Sequence, residues 1–181
     1  MEKITRIKVI GVGGSGSNTV TRMMRHGIDG VELIAVNTDL QDLGKAKAHR
    51  KIRIGRGATK GLGTGMDPRA GEKAAREDTE AIREALKGTD LAFIACGLGG
   101  GTGTGAAPVV AEIAKEMGIL TVAVVTMPFS FEGKERMSVA KKGLNKLKDR
   151  VDTLISVSND RLSSVIDPGT SVDSAFWICD E

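Results

Sequence analysis

Two short glycine runs are the part of this sequence whose residue types and spacing could do chemistry. The first run reads GVGGSG at residues 11–16, and the second reads GLGGGTGTG at residues 97–105. Each follows an apolar, strand-like segment and precedes a helical pattern. A glycine loop at such a junction presents free backbone N–H groups and the positive end of a helix dipole, which together bind anions, most often phosphate. Because a third glycine stretch occurs at residues 55–65, the pattern predicts a site for the phosphate chain of a nucleotide.

The first run leaves two nucleotide classes open. Residues 11–16 satisfy the G-x-G-x-x-G pattern of dinucleotide-binding folds, so a nicotinamide-dinucleotide-binding oxidoreductase domain is the alternative interpretation. Such folds end their second strand in an acidic residue for the ribose, whereas this strand pattern ends at Asn37 and Asp39 comes two positions late. That interpretation also leaves the second run unexplained. A P-loop is excluded, because the sequence contains no G-x-x-x-x-G-K-[ST].

The segments around the runs must form the strands and helices that position them. Apolar or β-branched segments predict strands, the third at a sheet edge, over residues 7–10, 31–37, 51–54, 91–96, 119–126 and 154–157. Helical patterns, two of them opened by Pro68 and Pro108, predict helices over residues 17–26, 68–86, 108–117 and 134–148. This alternation predicts one doubly wound α/β domain, with a mainly parallel sheet covered by helices on both faces.

Composition excludes several other classes of protein. The formal net charge is +3, and the aromatic residues are four phenylalanines and one tryptophan. Both facts disfavour a nucleic-acid-binding protein that stacks bases on aromatic rings. The two cysteines and two histidines have no spacing that suggests a metal site or a disulfide framework. Because the N-terminus has no apolar signal core and no stretch of roughly 18 apolar residues occurs, the sequence predicts a cytoplasmic protein without direct membrane insertion.

The second run carries a resemblance to a known family. GLGGGTGTG, continued by AAPVVA, resembles the glycine-rich signature of the tubulin/FtsZ superfamily, and the continuation is similar to FtsZ rather than to eukaryotic tubulin. Further matching segments follow in the family's order at residues 11–18, 37–39, 61–65, 128–129 with 132–134, and 159–162. The resemblance covers essentially the whole chain. It implies a tubulin-type, Rossmann-like domain that binds GTP or GDP, with Mg²⁺ bound through the phosphates.

The resemblance also implies a role for each matching residue. The first run would form a phosphate loop, and backbone N–H groups of the second would cradle the β- and γ-phosphates. Glu132 and Arg136 would lie at the ribose and phosphate edge, and Asn159 would hydrogen-bond guanine. The Asp180 carboxylate would accept from N1–H and N2–H of the base, and Phe176, one helical turn earlier, would stack on it. The nucleotide-binding residues implied in and beside the two runs are Gly13, Gly14, Ser15, Gly16, Ser17, Asn18, Gly100, Gly101, Thr102, Gly103 and Thr104.

Purely structural interpretations of some of these residues stay open. Phe176 is also consistent with a core position, and Glu132 and Arg136 with a surface i, i+4 ion pair. No residue of the chain is expected to be catalytic, and no side chain is expected to ligate a metal. The acids near the glycine runs include Asp39 and Asp67, which are equally typical of helix caps.

The resemblance implies a prokaryotic cell-division protein that assembles head to tail into filaments of the division ring and hydrolyses GTP at subunit contacts. Its implied partners are other copies of the full-length protein and division-ring proteins, and no nucleic acid. Residues 1–181 would be the GTP-binding domain, ending at the start of the family's central helix. We therefore expect the second domain and the loop that acts on the neighbour's nucleotide to be absent, and hydrolysis by the chain alone to be weak. A third interpretation is an interaction module that caps filaments of a full-length partner.

Overall fold

A six-stranded sheet forms the centre of the computed structural model, which describes residues 5–163 and Gly169. The strands are β1 (Ile7–Val12), β2 (Val31–Asn37), β3 (Arg50–Arg53), β4 (Leu91–Gly97), β5 (Leu120–Met127) and β6 (Thr153–Ser158). Their order across the sheet is β3-β2-β1-β4-β5-β6, and every neighbouring pair is parallel. The predicted edge position of the third strand is confirmed. All carboxyl ends therefore meet at one edge of the sheet, where open α/β folds bind ligands.

Helices cover both faces of this sheet, as predicted. They are α1 (Gly13–His26), α2 (Leu40–Lys45), α3 (Arg56–Thr59), α4 (Pro68–Glu77), α5 (Thr79–Leu86), α6 (Thr102–Glu116), α7 (Lys134–Lys148) and α8 (Asn159–Ser163). Alternate residues of one strand belong to different apolar clusters, because successive side chains of a strand point to opposite faces. Val9 of β1 packs with Val20 of α1, whereas Ile10 belongs to the larger cluster that α4, α5 and α6 form on the other face.

Two helices begin earlier than the sequence predicts. α1 begins at Gly13 instead of residue 17, and α6 begins at Thr102, which places Pro108 inside the helix rather than at its start. The reason is packing: the late residues of each glycine run are already the first turns of a helix pressed against its neighbours. A Cβ on Gly16 would lie 2.4 Å from the Ala95 carbonyl oxygen, and one on Gly105 only 2.0 Å from the Pro68 carbonyl oxygen. Glycine is thus required for close contact as well as for turning.

The helix predicted over residues 68–86 is broken at Asp78, which has φ −112° and ψ 30° between α4 and α5. The break turns two acidic side chains toward the preceding segment. The Asp78 carboxylate accepts from Gly55 N at 2.6 Å, and the Glu77 carboxylate accepts from Gly57 N at 2.6 Å and Ala58 N at 3.0 Å. These long-range contacts favour the break, and a helical periodicity cannot reveal them. The short helices α2, α3 and α8 were not predicted either.

An ion-pair network ties α4, α6 and α7 together on the outer surface. Glu112 of α6 accepts from both terminal nitrogens of Arg76 at 3.1 Å and pairs with Arg150 Nε at 3.3 Å. Lys146 of α7 reaches Glu72 of α4 at 3.1 Å. The hydrogen bond from Arg76, the largest cause, lowers the pKa of Glu112 below its ordinary value. Networks of this kind contribute more than isolated surface pairs do.

Replacing Glu112 by glutamine should lower the free energy of unfolding by about 1 kcal/mol at neutral pH. Because the folded pKa of Glu112 is lowered, its contribution is fully present above the ordinary glutamate pKa of 4.5 and disappears as pH falls through the lowered value. Urea unfolding of parent and variant should therefore differ at neutral pH and converge in acid. An equal difference at both pH values would contradict this assignment. Glu84→Gln, which removes one exposed ion pair with Lys87, is the control and should change stability little.

Candidate functional site

A cleft of about 550 Å³ opens where the carboxyl ends of β1, β2, β4 and β5 meet. Its walls come from both glycine runs, from the N-terminal part of α2 and from residues 62–66, which we call the cleft loop. The 3-10 turn (Ser130–Glu132) and the start of α7 close the side toward β6, where Asn159 begins α8. The sequence-predicted position of a ligand site, at the ends of the strands that precede the glycine runs, coincides with this cleft.

The N-termini of α1 and α6 converge on the cleft. A Cβ on Gly13, whose φ is +76°, would lie 2.8 Å from Gly103 N, so the two helix starts are in close contact. Neither helix has an acidic residue in its first turn, and neither has a side chain capping its first N–H groups. The uncapped N–H groups and the two helix dipoles therefore attract negative charge to the same part of the cleft. Such an arrangement binds an anion, and two helix starts side by side suit consecutive phosphates.

The cleft brings together most of the residues that the sequence singles out. Its lining includes, of those residues, Gly14, Ser15, Asn18, Gly100, Gly101, Thr102, Gly103, Glu132, Arg136 and Asn159. Four others lie outside the lining: Gly13 and Gly16 pack helices against neighbouring backbone, Ser17 is 2% exposed within α1, and the Thr104 hydroxyl accepts from Gly99 N at 2.9 Å. Phe176 and Asp180 lie outside the described residues.

The cleft loop buttresses the second glycine run, and sequence reasoning did not place it in the site. A Cβ on Gly101 would lie 2.0 Å from Thr64 Oγ1 and 2.9 Å from Asp67 N. The Thr102 hydroxyl is 2.7 Å from the Thr38 hydroxyl and 3.4 Å from that of Thr64. Gly101 is therefore fixed by the loop beside it. The third glycine stretch, at residues 55–65, was the available signal for this wall.

Glu132 and Arg136 form an ion pair at the edge of the cleft. Glu132 Oε2 lies 3.1 Å from Arg136 Nε, and Glu132 Oε1 accepts from Phe129 N at 2.8 Å. The pair has the i, i+4 spacing of an ordinary surface pair, yet both side chains line the cleft. The structural and the ligand-binding interpretations are thus compatible, because the pair fixes where the guanidinium lies beside the space for a ligand.

Two buried asparagines line the cleft at the ends of β2 and β6. Asn37 is 2% exposed and Asn159 is 6% exposed. Asn37 Oδ1 accepts from Thr38 N at 2.8 Å and Asp39 N at 3.3 Å, whereas its Nδ2 has no hydrogen-bond partner within the described chain. Asn159 Oδ1 likewise has none there. A buried polar group without a partner costs about 1–3 kcal/mol, so both are groups that a ligand could satisfy; the sequence predicted only Asn159.

The acids beside the glycine runs act as helix caps. Asp39 Oδ1 accepts from Gln41 N at 2.8 Å and Asp42 N at 3.1 Å, so Asp39 caps α2. Asp67 accepts from Arg69 N at 2.9 Å and caps α4, and this backbone hydrogen bond is the main cause of its lowered pKa. The cap interpretation of both acids is confirmed. Asp39 and Asp42 also line the cleft.

Other reactive groups contribute little to the site. Burial raises the pKa of the Cys96 thiol to about 12, which makes it a core residue rather than a nucleophile. Within residues 5–163, no cluster of three or more histidine, cysteine, aspartate or glutamate side chains could hold a metal ion. None of the helices in this part of the chain has the length and apolar character needed to cross a membrane.

Comparison with known proteins identifies the family. The sequence model described as "Tubulin/FtsZ family, GTPase domain" matches residues 6–167. The chain belongs to the tubulin/FtsZ family. Among curated proteins, it is 57% identical to cell division protein FtsZ 1 of Thermococcus kodakarensis, over 97% of this chain and 47% of that protein.

Solved structures of the tubulin/FtsZ family have the same fold. The FtsZ dimer, empty, from M. jannaschii superposes with a TM-score of 0.94 at 50% identity, over 97% of this chain and 51% of that one. The GTPγS-bound protofilament of CetZ2 from Haloferax volcanii gives 0.87 at 26% identity, over 98% and 55% of the two chains. The chain thus spans about half the length of these relatives.

Membership in the tubulin/FtsZ family decides between the nucleotide classes that the first run left open. The strand order is also that of dinucleotide-binding folds, so the fold alone does not separate them. The family match confirms the resemblance carried by residues 97–105 and indicates a guanine-nucleotide-binding GTPase domain. Nothing in the comparisons supports the oxidoreductase alternative.

Proposed function

We propose that this tubulin/FtsZ-family chain binds GTP and GDP in the cleft, with the phosphates on the N-termini of α1 and α6. The convergence of these two uncapped helix starts carries the proposal. Gly14, Ser15 and Asn18 on α1 would contact the phosphates from one side, and residues 100–103 from the other. Because the chain has no P-loop lysine, backbone amides supply most of the attraction.

The base would lie on the β6 side of the cleft. Asn159 lines that side and has an unpartnered oxygen that suits the N–H donors of guanine. Phe176 and Asp180, proposed from the resemblance alone, would stack on the base and accept from its N1–H and N2–H. Glu132 and Arg136 border the space between base and phosphates, as expected for groups at the ribose. The ligand would therefore run across the carboxyl ends of the strands, from β6 toward β2.

Mg²⁺ would be held through the phosphates and not by a dedicated protein cage. Hard cations of this kind bind oxygen ligands and keep several waters. The carboxylates of Asp39 and Asp42 line the β2 side of the cleft, so the donor set there fits a hydrated cation on the terminal phosphates. When bound, the cation would neutralise phosphate charge.

We further propose that hydrolysis of GTP takes place at contacts between subunits in head-to-tail filaments. Among the described acids at the cleft, Glu132 is held by Arg136 and Phe129 N, Asp39 caps α2, and Asp42 lies in the first turn of α2. Phosphoryl transfer needs a positioned water in addition to a phosphate cradle, and a neighbouring subunit would supply the group that positions it. The named relatives, a cell division protein and a protofilament, support assembly and a role in cell division. A place at the division site and division-ring partners are proposed from the family resemblance.

Phosphate release should depend on contact with a partner that supplies the group that positions the water. We expect near-background release by the 181-residue chain alone, and a clear increase when a full-length FtsZ with a disabled nucleotide site is added. The measurement is phosphate release against protein concentration, with and without that partner. Fast turnover by the chain alone that does not depend on concentration would show that it carries its own catalytic group.

A further inference from the structure

The cleft loop and the residues before it have an unusual backbone. Lys60 and Met66 have φ values of 53° and 66°, and Gly61, Gly63 and Gly65 also have positive φ. Side-chain-bearing residues rarely adopt this region, and such conformations persist only where the surroundings impose them. The loop between α3 and α4 must therefore be held by contacts outside itself.

One end of this segment is held by the break between α4 and α5. Gly55, the N-cap residue of α3, has no side chain that could cap the helix. The backbone N–H groups at its start donate instead to Glu77 and Asp78, in three hydrogen bonds of 2.6, 2.6 and 3.0 Å. Two carboxylates more than fifteen residues away in sequence thus take the place of a local cap.

Backbone hydrogen bonds connect this anchor to the cleft. Leu62 N, at the start of the cleft loop, donates at 3.0 Å to the carbonyl oxygen of Thr59, the last residue of α3. At its other end, Asp67 N donates to Thr64 O at 3.0 Å, just before Asp67 caps α4. Both ends of the segment from Gly55 to Asp67 are therefore fixed to α4, and the cleft-lining residues lie between them.

We propose that Glu77 and Asp78 are positioning residues for the nucleotide cleft. By holding the start of α3 on the end of α4, their carboxylates keep residues 62–66 in place beside the ligand and slow its release. The inference rests on the proposed function, since it assumes that the cleft takes a guanine nucleotide. Losing a hydrogen bond to a charged group shifts an equilibrium by about 10- to 150-fold. Removing either carboxylate should therefore shift the equilibrium of the loop toward its open form by a factor in this range.

Glu77→Ala and Asp78→Ala test this role by removing the acceptor oxygens, and Glu80→Ala is the matched control. Glu80 lies on the next turn, is 91% exposed and forms a 3.9 Å ion pair with Arg83. The probe is mant-GDP, chased from each protein by excess GDP in a stopped-flow instrument. Hydrogen exchange of peptides covering residues 55–66 is measured without nucleotide, and thermal melting checks that each variant is folded.

We expect both anchor variants to release mant-GDP about tenfold faster or more, and to exchange residues 55–66 faster by about 10- to 150-fold. Glu80→Ala should match the parent in both measurements. Unchanged exchange in the anchor variants, faster exchange without faster release, or an equal effect of Glu80→Ala would each overturn the inference alone. A parent protein that does not bind mant-GDP would contradict the proposed function, and the inference with it.

Discussion

Gly105→Ala should strongly lower the free energy of unfolding. Gly100→Ala, in the same glycine run, should leave that free energy unchanged and weaken nucleotide binding. A Cβ on Gly105 would lie 2.0 Å from Pro68 O and 2.7 Å from Glu72 N, both backbone atoms of α4. Overpacking of this kind costs about 1–3 kcal/mol, and contacts this short with backbone belong at the upper end. A Cβ on Gly100 would meet nothing within 4 Å and would project from the wall of the cleft.

Chemical unfolding and nucleotide titration of the two variants separate packing from binding. We expect Gly105→Ala to lose about 3 kcal/mol of stability, and Gly100→Ala to bind GTP about tenfold more weakly, a loss of roughly 1.4 kcal/mol. Gly44→Ala is the control for the added methyl group. A Cβ on Gly44 also meets nothing within 4 Å, and Gly44 lies outside the cleft lining. Equal stability of Gly105→Ala and the parent would refute the close contact of α4 and α6.

Asp180→Ala and Asn159→Ala should each weaken GTP binding and reduce the preference for GTP over ATP. As proposed, the Asp180 carboxylate would accept two hydrogen bonds from guanine, whereas adenine offers an acceptor at N1 and would leave the carboxylate unpaired. Losing a hydrogen bond to a charged group corresponds to about 1.5–3 kcal/mol, or 10- to 150-fold in affinity. The Asn159 effect should be smaller, because its amide is neutral.

Competition between GTP and ATP for the same site measures this preference directly. Ser158→Ala, next to Asn159 but outside the cleft lining, is the control and should keep the parent's ratio. If the parent discriminates well and Asp180→Ala keeps the same GTP/ATP ratio, Asp180 is not part of the base site. The same result for Asn159→Ala would mean that Asn159 does not contact the base.

The parallel sheet and the location of the cleft could be predicted because they follow from local patterns. The runs at residues 33–36 and 91–96 are apolar without interruption, as strands covered on both faces must be. The glycine runs sit at strand ends, where ligands bind in such sheets. The resemblance at residues 97–105 then added the family, which spacing alone did not decide.

The features that the sequence did not reveal depend on contacts between distant residues. The first turn of α6 is helical because Gly105 fits against α4, and this made the predicted start at Pro108 wrong. The break at Asp78 reflects its bond to Gly55 N, 23 residues away. Asn37 lines the cleft because the order of strands places the end of β2 beside the end of β1.

Calorimetric titration of the chain, freed of co-purified nucleotide, with GTP, ATP and NAD⁺ in the presence of Mg²⁺ tests the central claim most directly. The arrangement of α1 and α6, together with the base-side residues, predicts one GTP bound per chain, with ATP and NAD⁺ weaker by about 10- to 150-fold. Binding of ATP or NAD⁺ as tightly as GTP, or no binding of GTP, would contradict the assignment of the cleft to a guanine nucleotide.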